Sequence, residues 1–176
     1  FHEADIRDKA IKIYFKDMEI IRPAHNKKST KVKNFNEVKK EALELRSFID
    51  LKHEGLYDKA FAISHAQVSD KPKNFFVINE NLEDLKKIFG HWCIINLKIL
   101  EGNDEVEYNE ACMSAPYRQP TKTRRYINLK VRYYTPSIFG LLKRRTKWFK
   151  GLPAFIAQHE NNHSEGLSIY QIYNKK

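Results

Sequence analysis

The chain has little cysteine and no long apolar run. Its two cysteines, Cys93 and Cys112, are too few for a disulfide framework and indicate a reducing compartment, where a lone thiol such as Cys93 is typically a small buried core residue. No hydrophobic stretch approaches the roughly 18–20 residues that cross a bilayer, and no signal-peptide pattern opens the chain, so we expect a soluble protein without a membrane partner. The 176 residues, 41% of them hydrophobic, predict a single globular domain over 1–176.

Acidic residues are missing from one long stretch. Between Ala111 and His159 there is no Asp or Glu. The same stretch holds eleven basic residues: Arg118, Lys122, Arg124, Arg125, Lys130, Arg132, Lys143, Arg144, Arg145, Lys147 and Lys150. The rest of the chain then has 21 basic against 22 acidic residues, so the net charge of +10 arises from this stretch alone.

Aromatic residues are interleaved with these cations, among them Tyr126, Tyr134 and Trp148. Basic and aromatic side chains together are typical of a polyanion-binding surface, and we expect RNA, such as ribosomal RNA, as the partner. The RNA-binding candidates are Arg118, Lys122, Arg125, Lys143, Arg144, Arg145 and Lys147. The alternative is a merely solvated cationic face.

Hydrophobic periodicity predicts a mixture of helices and strands. Val38, Ala42, Leu45 and Ile49 recur at helical spacing, which predicts a helix over about 37–53 with Asn36 as its N-cap and Gly55 after its end. A strand or strand-turn is predicted at 59–68, and strands are predicted at 74–78, 93–100 and 126–135. A short helix or insertion is predicted at 80–92, and a hairpin partner strand at 138–151. A final helix is predicted from Leu152 to Gly166, with Pro153 in its first turn.

The final helix contains the sequence His159-Glu160-x-x-His163. Two histidines four residues apart share one face of a helix, so both rings can reach one metal ion. The intervening glutamate can take a proton from an activated water molecule. This pattern predicts a metal site with His159 and His163 as two of its ligands.

The third ligand is not found downstream of the motif. One known arrangement uses a carboxylate well downstream, but the only acid after His163 is Glu165, two positions on. The metzincin arrangement uses a third histidine, but Ile169 stands at that position. Cys112 is the best upstream candidate. A thiolate and two imidazoles suit Zn²⁺ or Fe²⁺ and leave a fourth position for water.

Three segments together resemble the signatures of the peptide deformylase family. "EACMSAP" (110–116) resembles the second signature, EGCLS followed by a proline, and "GLPAFIAQHENNHSEG" (151–166) is similar to the third, an HExDH helix preceded by Gln. "AFAISHAQV" (60–68) resembles the first, GxGxAAxQ, and "MEIIRP" near the start resembles the early strand. The resemblance implies an α+β fold with antiparallel sheets around a central metal-binding HExxH helix.

The resemblance also implies roles for individual residues. Cys112, His159 and His163 would hold one metal ion, Fe²⁺ by family resemblance or Zn²⁺. Glu160 would act as general base and then acid, while Gln67 and the backbone N–H of Met113 would bind the formyl oxygen. The substrate methionine would pack near Phe61, Ala62, Leu152, Phe155 and Ile156. Glu110 and Arg124 are expected to form a charge pair that orients the ligand loop, next to Asn162. His65 and His91 match no role and are expected to be structural.

The resemblance implies removal of the N-formyl group from the initiator methionine of nascent polypeptides. Several positions depart from the family pattern: Ala60 and Ala62 replace glycines of the first signature, His65 replaces an alanine, Ala111 replaces the glycine before the cysteine, and Asn162 replaces an aspartate. The alternative is therefore a deformylase-fold protein with weak or no activity that serves as an RNA-contacting subunit of a mitochondrial ribosome. Formylated initiation predicts a mitochondrial matrix location, with a plastid or the bacterial cytoplasm as alternatives.

Overall fold

The structure is a computed structural model that describes residues 27–50, 61–110 and 121–167. Its helices are α1 (Lys39–Asp50), α2 (Leu85–Phe89) and α3 (Leu152–Ser164), and its strands are β1 (Ala62–Ser64), β2 (Phe75–Ile78), β3 (Cys93–Glu110), β4 (Thr121–Pro136) and β5 (Leu142–Lys150). Short 3₁₀ turns lie at Phe35–Glu37, His65–Gln67 and Ile138–Gly140. Gly55, predicted to follow the end of the first helix, lies outside the described residues.

The five strands form one sheet in the order β1-β2-β3-β4-β5, and every neighbouring pair is antiparallel. Consecutive strands are therefore neighbours in the sheet, and among the described strands β1 and β5 are the outermost two. The antiparallel sheet with few helices confirms the predicted α+β fold. Within the described residues, no helix has both the length and the apolar character needed to cross a membrane. The prediction of a single domain over 1–176 stays a prediction.

Side-chain alternation divides β4 into two faces. Six odd-numbered residues are buried: Thr123, Arg125, Leu129, Val131, Tyr133 and Thr135. The even-numbered Lys122, Arg124 and Tyr126 are exposed. Because successive side chains of a strand point to opposite faces, the odd residues define an inner face that packs on the core, and the even residues define an outer face. Helix α3 packs on the inner face.

Helix α1 buries the residues that its periodicity predicts, namely Val38 just before it and Ala42, Leu45 and Ile49 within it. The predicted N-cap was wrong. Asn34, two residues earlier, caps the 3₁₀ turn that precedes the helix: its side chain accepts from the Asn36 backbone N–H at 2.8 Å, and Glu37 Oε1 accepts from the Asn34 N–H at 3.2 Å. This reciprocal capping box satisfies backbone donors that the helix itself cannot pair.

Strands β3 and β4 extend well beyond the predicted ranges. β3 continues from residue 100 to Glu110, and β4 begins at Thr121 instead of residue 126. The register pairs Glu101 with Lys130 and Glu107 with Arg124, so opposite charges lie across from each other on the added part. Cross-strand charge pairs of this kind stabilise a ribbon whose own residues have low strand propensity.

Cys93 and His91 have structural roles, as predicted. Cys93 is fully buried, and burial raises the pKa of its thiol far above the usual range. His91 Nδ1 accepts a hydrogen bond from the Cys93 backbone N–H at 2.9 Å. Burial, with the nearby charges of Lys86 and Arg46, lowers the pKa of His91 from 6.5 to about 4. The imidazole is therefore neutral in the folded protein at neutral pH.

The depressed pKa of His91 predicts a loss of stability in mild acid. The folded state holds this ring neutral while the unfolded chain protonates it, so its contribution is complete above pH 6.5 and is lost as the pH falls towards about 4. His91→Asn, which keeps an acceptor near the position of Nδ1, should flatten the pH dependence of the urea midpoint across that window. An unchanged slope between wild type and variant would contradict the assignment.

Candidate active site

Helix α3 carries His159, Glu160 and His163, all of them buried. The helix begins after Gly151, whose positive φ of 71° suits a residue without a Cβ, and Pro153 lies in its first turn as predicted. Residues four apart lie one turn from each other on the same face, so the helix presents both imidazoles together. The described structure therefore confirms the helical placement of the motif.

His159 is oriented by a carboxylate on strand β3. Its Nδ1 lies 2.8 Å from Glu110 Oε1, and both side chains are buried. Because an ionised carboxylate only accepts hydrogen bonds, Nδ1 carries the proton and donates it to Glu110. The lone pair of His159 is then on Nε2, which is the tautomer required of a metal-ligating histidine held by a carboxylate.

The two imidazoles converge through their Nε2 atoms. His159 Nε2 and His163 Nε2 are 3.1 Å apart, and the ring centroids are 4.8 Å apart with an angle of 72° between the planes. Two imidazoles bound to one tetrahedral zinc ion at normal bond lengths have nitrogens about 3.3 Å apart. The arrangement of the two rings therefore fits a shared metal ion.

Glu110 is the centre of a buried hydrogen-bond network. Besides His159, it accepts from Arg125 Nε at 2.9 Å and from Arg125 Nη2, so the guanidinium binds both carboxylate oxygens. Thr123 Oγ1 adds a further hydrogen bond at 2.8 Å. Burial alone would raise the pKa of Glu110, but the hydrogen bonds from His159 and Arg125, together with the charge of Arg125, outweigh it and hold the pKa far below its usual range.

The predicted partner of Glu110 was wrong by one residue. Arg124 lies on the outer face of β4, where its side chain is 72% exposed and 3.6 Å from Glu105. Arg125 lies on the inner face and pairs with Glu110 in its place. Since alternation along β4 sends odd residues inward, only Arg125 can reach a carboxylate on the core side. The buried Arg125 was also predicted to bind RNA, which its position excludes.

Asn162 remains part of this network although it replaces the family's aspartate. Its Oδ1 accepts a hydrogen bond from Arg125 Nη1, which joins helix α3 to strand β4. The neutral amide therefore keeps the acceptor that the position requires. Arg125 thus contacts both Glu110, which orients His159, and helix α3, which carries His159.

Gln158 is a positioning residue that the sequence reading did not single out. Its Oε1 accepts from the Tyr126 backbone N–H at 2.9 Å, and its Nε2 donates to the Tyr126 carbonyl at 2.9 Å and to the Ala154 carbonyl at 3.0 Å. Beyond the end of β5, the Gln158 side chain therefore makes the hydrogen bonds to the Tyr126 backbone that a neighbouring strand would otherwise make. Its position directly before His159 in the motif was the available signal.

Gln67 lies in the 3₁₀ turn that follows β1, and helix α3 packs against both elements. Its Oε1 accepts from the Ser64 backbone N–H at 2.9 Å, which orients the carboxamide. Because the oxygen accepts here, the NH₂ group is the part of this side chain that can donate to a substrate. Ala62 is not among the residues with a positive φ, so its methyl group adds no backbone strain at this position, where the first signature has glycine.

His65 has a structural role, as predicted. Its Nδ1 accepts from the Lys73 backbone N–H at 2.9 Å, and its ring stacks on Phe75 with centroids 4.8 Å apart. Burial lowers the pKa of His65, so the ring is neutral. The residue therefore fixes the connection between β1 and β2.

The residues predicted to contact a substrate methionine lie around helix α3 and the start of β1. Phe61, Ala62 and Ile156 are buried, while Leu152 and Phe155 are half-buried. The Phe155 ring stacks on Tyr108 of β3, with centroids 4.2 Å apart. Their role in substrate binding stays a prediction.

Cys112 and Met113 lie in 111–120, outside the described residues, and so does Arg118. Within the ranges that the structure describes, no set of three His, Cys, Asp or Glu side chains is placed to hold a metal ion. The two converging imidazoles supply two ligands, and a third from outside those ranges is chemically compatible with them. The complete ligand set therefore stays a prediction.

The remaining RNA-binding candidates differ in their surroundings. Lys122, Lys143 and Arg144 are exposed. Arg145 donates to Thr135 Oγ1 at 2.9 Å, and Lys147 Nζ donates to the Ile88 carbonyl at 2.7 Å. The side chains of Arg145 and Lys147 thus serve to hold strand β5 against β4 and helix α2.

Comparisons with known proteins agree on one family. The family model for polypeptide deformylases matches residues 12–176. Similar solved structures include peptide deformylase from Thermotoga maritima, with TM-score 0.67 and 22% identity over 89% of this chain and 96% of that one. Peptide deformylase from Plasmodium falciparum has TM-score 0.69 and 20% identity over 89% of this chain and 86% of that one. Peptide deformylase 1B from Arabidopsis thaliana has TM-score 0.67 and 23% identity over 90% of this chain and 82% of that one. Among curated proteins there is no sequence match.

Proposed function

The chain belongs to the polypeptide deformylase family, and on that premise we propose that it removes the N-formyl group from N-formylmethionyl nascent peptides. The observation that carries the proposal is the convergence of His159 Nε2 and His163 Nε2 on a helix where Glu110 fixes the tautomer of His159. A histidine held this way is prepared to bind a metal ion, and Glu160 follows it directly.

The residues present fit a single divalent ion. Cys112, His159 and His163 would hold Fe²⁺ or Zn²⁺, since a thiolate and two neutral imidazoles suit either ion. When bound, the ion would supply Lewis-acid chemistry, which lets a water molecule lose a proton near neutral pH and so become the nucleophile that attacks the formyl carbon. Glu110 and Arg125 keep the His159 ring in place for that task.

Glu160 is the residue assigned to move protons. Its buried carboxylate lies on the same helix as both histidines, so it can accept a proton from the attacking water and pass it to the amine that leaves. The Gln67 NH₂ group and the Met113 backbone N–H would donate to the formyl oxygen as negative charge develops on it. Phe61, Leu152 and Ile156 would contact the methionine side chain.

The comparisons lend no support to the alternative of an inactive ribosomal subunit. The mitochondrial matrix remains the proposed location, because formylated initiation occurs there, with a plastid or the bacterial cytoplasm as alternatives. The nascent formyl-peptide remains the proposed partner. Both proposals rest on the family's reaction and not on a contact within the described residues.

Metal reconstitution tests the proposed function. Protein loaded anaerobically with Fe²⁺ should bind about one ion per chain and deformylate a formyl-Met tripeptide, and a chelator should abolish turnover that added metal restores. His163→Ala should lose both the metal and the activity. His91→Asn, which changes a histidine elsewhere, should keep both.

Metal content and turnover are measured separately so that two failures are distinguishable. One bound ion without turnover would mean that the site is a structural staple and that the proposed reaction is wrong. Full turnover in His163→Ala would mean that the catalytic centre lies elsewhere in the chain. The second result would also remove the assignment of Glu160.

A further inference from the structure

The outer face of the sheet has a cationic surface centred on Trp148. The register places Trp148 beside Lys130, Thr146 beside Arg132, Lys150 beside Asn128 and Arg144 beside Tyr134, and Lys98 of β3 pairs with Arg132. We call this surface the Trp148 face, and its members are Lys98, Lys130, Arg132, Arg144, Trp148 and Lys150. It spans three adjacent strands on the side opposite helix α3.

An exposed tryptophan distinguishes this surface from an ordinary charged face. Trp148 is 51% exposed, and Lys130 Nζ lies 6.0 Å from the centroid of its ring. Such a cation beside a ring is weakly attracted to it and leaves the rest of the aromatic surface open. Charged residues on an outermost strand such as β5 prevent it from pairing with the edge of another sheet. Cations alone would be sufficient for this, so it does not explain why Trp148 is exposed.

The five cations of the Trp148 face can reach an anionic partner. Glu101 lies across from Lys130 in the register, but within the described part of the chain none of the five cations forms an ion pair at 4.0 Å or less. The inward residues of the same strand differ, because Arg145 and Lys147 are engaged with Thr135 and Ile88. Alternation along β5 thus separates cations that hold the fold from cations that face outward.

We propose that the Trp148 face binds single-stranded RNA. An open sheet surface that combines cations with an exposed aromatic ring fits this ligand, because phosphates are neutralised by Lys and Arg while a base stacks on the ring. The face lies opposite the inner face on which α3 packs, so a bound RNA leaves the proposed active site accessible. This inference does not depend on the proposed deformylase reaction.

An anionic bilayer is the competing partner, because the hairpin between β4 and β5 has an apolar tip. Ile138, Phe139 and Leu141 are 70%, 87% and 58% exposed. Lys150 is eight residues from Leu142 along β5, roughly 26 Å at the usual rise of a strand. If the tip inserted into a membrane, Lys150 would lie farther from the membrane surface than the Debye length of about 8–10 Å, so its charge would contribute little. An RNA strand can instead contact the whole face.

The test measures binding of the full chain to a labelled mixed-sequence single-stranded RNA of about 12 nucleotides by fluorescence anisotropy across a salt series. Replacing Lys130, Arg132 and Lys150 by Gln should weaken binding more than about tenfold and reduce the slope of log K against log salt by roughly two. Trp148→Ala should weaken binding roughly ten- to a hundredfold through lost stacking, and Trp148→Phe should retain most of it.

A matched variant removes the same charge elsewhere. Lys39→Gln, Lys40→Gln and Lys71→Gln together change three exposed lysines outside the Trp148 face and should leave the affinity within about twofold. An equal loss in this control, or an unchanged affinity in Trp148→Ala, would overturn the proposal. A third result would also overturn the proposal: the chain binds vesicles of phosphatidylcholine and phosphatidylglycerol but not RNA, and Phe139→Ser abolishes the vesicle binding.

Discussion

Replacing Arg125 by Met is expected to lower the free energy of unfolding by about 3–5 kcal/mol, whereas Arg124→Met should change it by less than about 0.5 kcal/mol. Arg125 is buried and supplies two hydrogen bonds to Glu110 and one to Asn162. Methionine fills much of the volume but leaves the buried Glu110 carboxylate without its cation, so that it must stay charged and unpaired or take up a proton. Arg124 is 72% exposed, and its pair with Glu105 is screened by water.

Urea denaturation of wild type and both variants measures this difference, and the two arginines are adjacent, so composition and local sequence are matched. If Arg125→Met does not fold, Arg125→Lys provides a milder change, because it keeps the charge but loses the two-oxygen grip on the carboxylate. An Arg124→Met variant as destabilised as Arg125→Met would show that the inward and outward faces of β4 have been assigned incorrectly.

The alternation that distinguishes Arg125 from Arg124 was present in the sequence. Leu129, Val131 and Tyr133 are apolar and buried, and counting back by twos from them reaches Arg125. The family resemblance alone gave the neighbouring residue as the partner of Glu110. Strand periodicity is therefore the better guide to which of two adjacent arginines faces the core.

The histidine motif and the helix that carries it could be predicted because both depend on local spacing. The far halves of β3 and β4 could not, because residues 101–110 include Gly102, Asn103 and Asp104, which have low strand propensity. These residues belong to a strand because β3 and β4 support each other over a long register, even though Asp104 has a positive φ of 59°. Pairing between distant segments is not visible in the periodicity of either one.

Glu160→Gln is expected to reduce deformylation about 10²–10⁴-fold while leaving stability and bound metal near wild-type values. The amide has almost the same shape as the carboxylate but cannot accept a proton at neutral pH. The variant therefore removes the proposed base without changing the proposed ligands His159 and His163. Turnover of a formyl-Met tripeptide, metal content and the urea midpoint are measured on the same preparation.

Glu165→Gln is the matched control, because Glu165 directly follows helix α3 and is exposed. It removes one carboxylate from the same segment and should keep full activity. A fall in activity that appears only in Glu160→Gln, with metal retained, assigns the proton transfer to this residue. If Glu160→Gln keeps activity within a few-fold of wild type, another group accepts the proton. If Glu160→Gln loses its metal, the carboxylate supports the metal ligands and not the reaction.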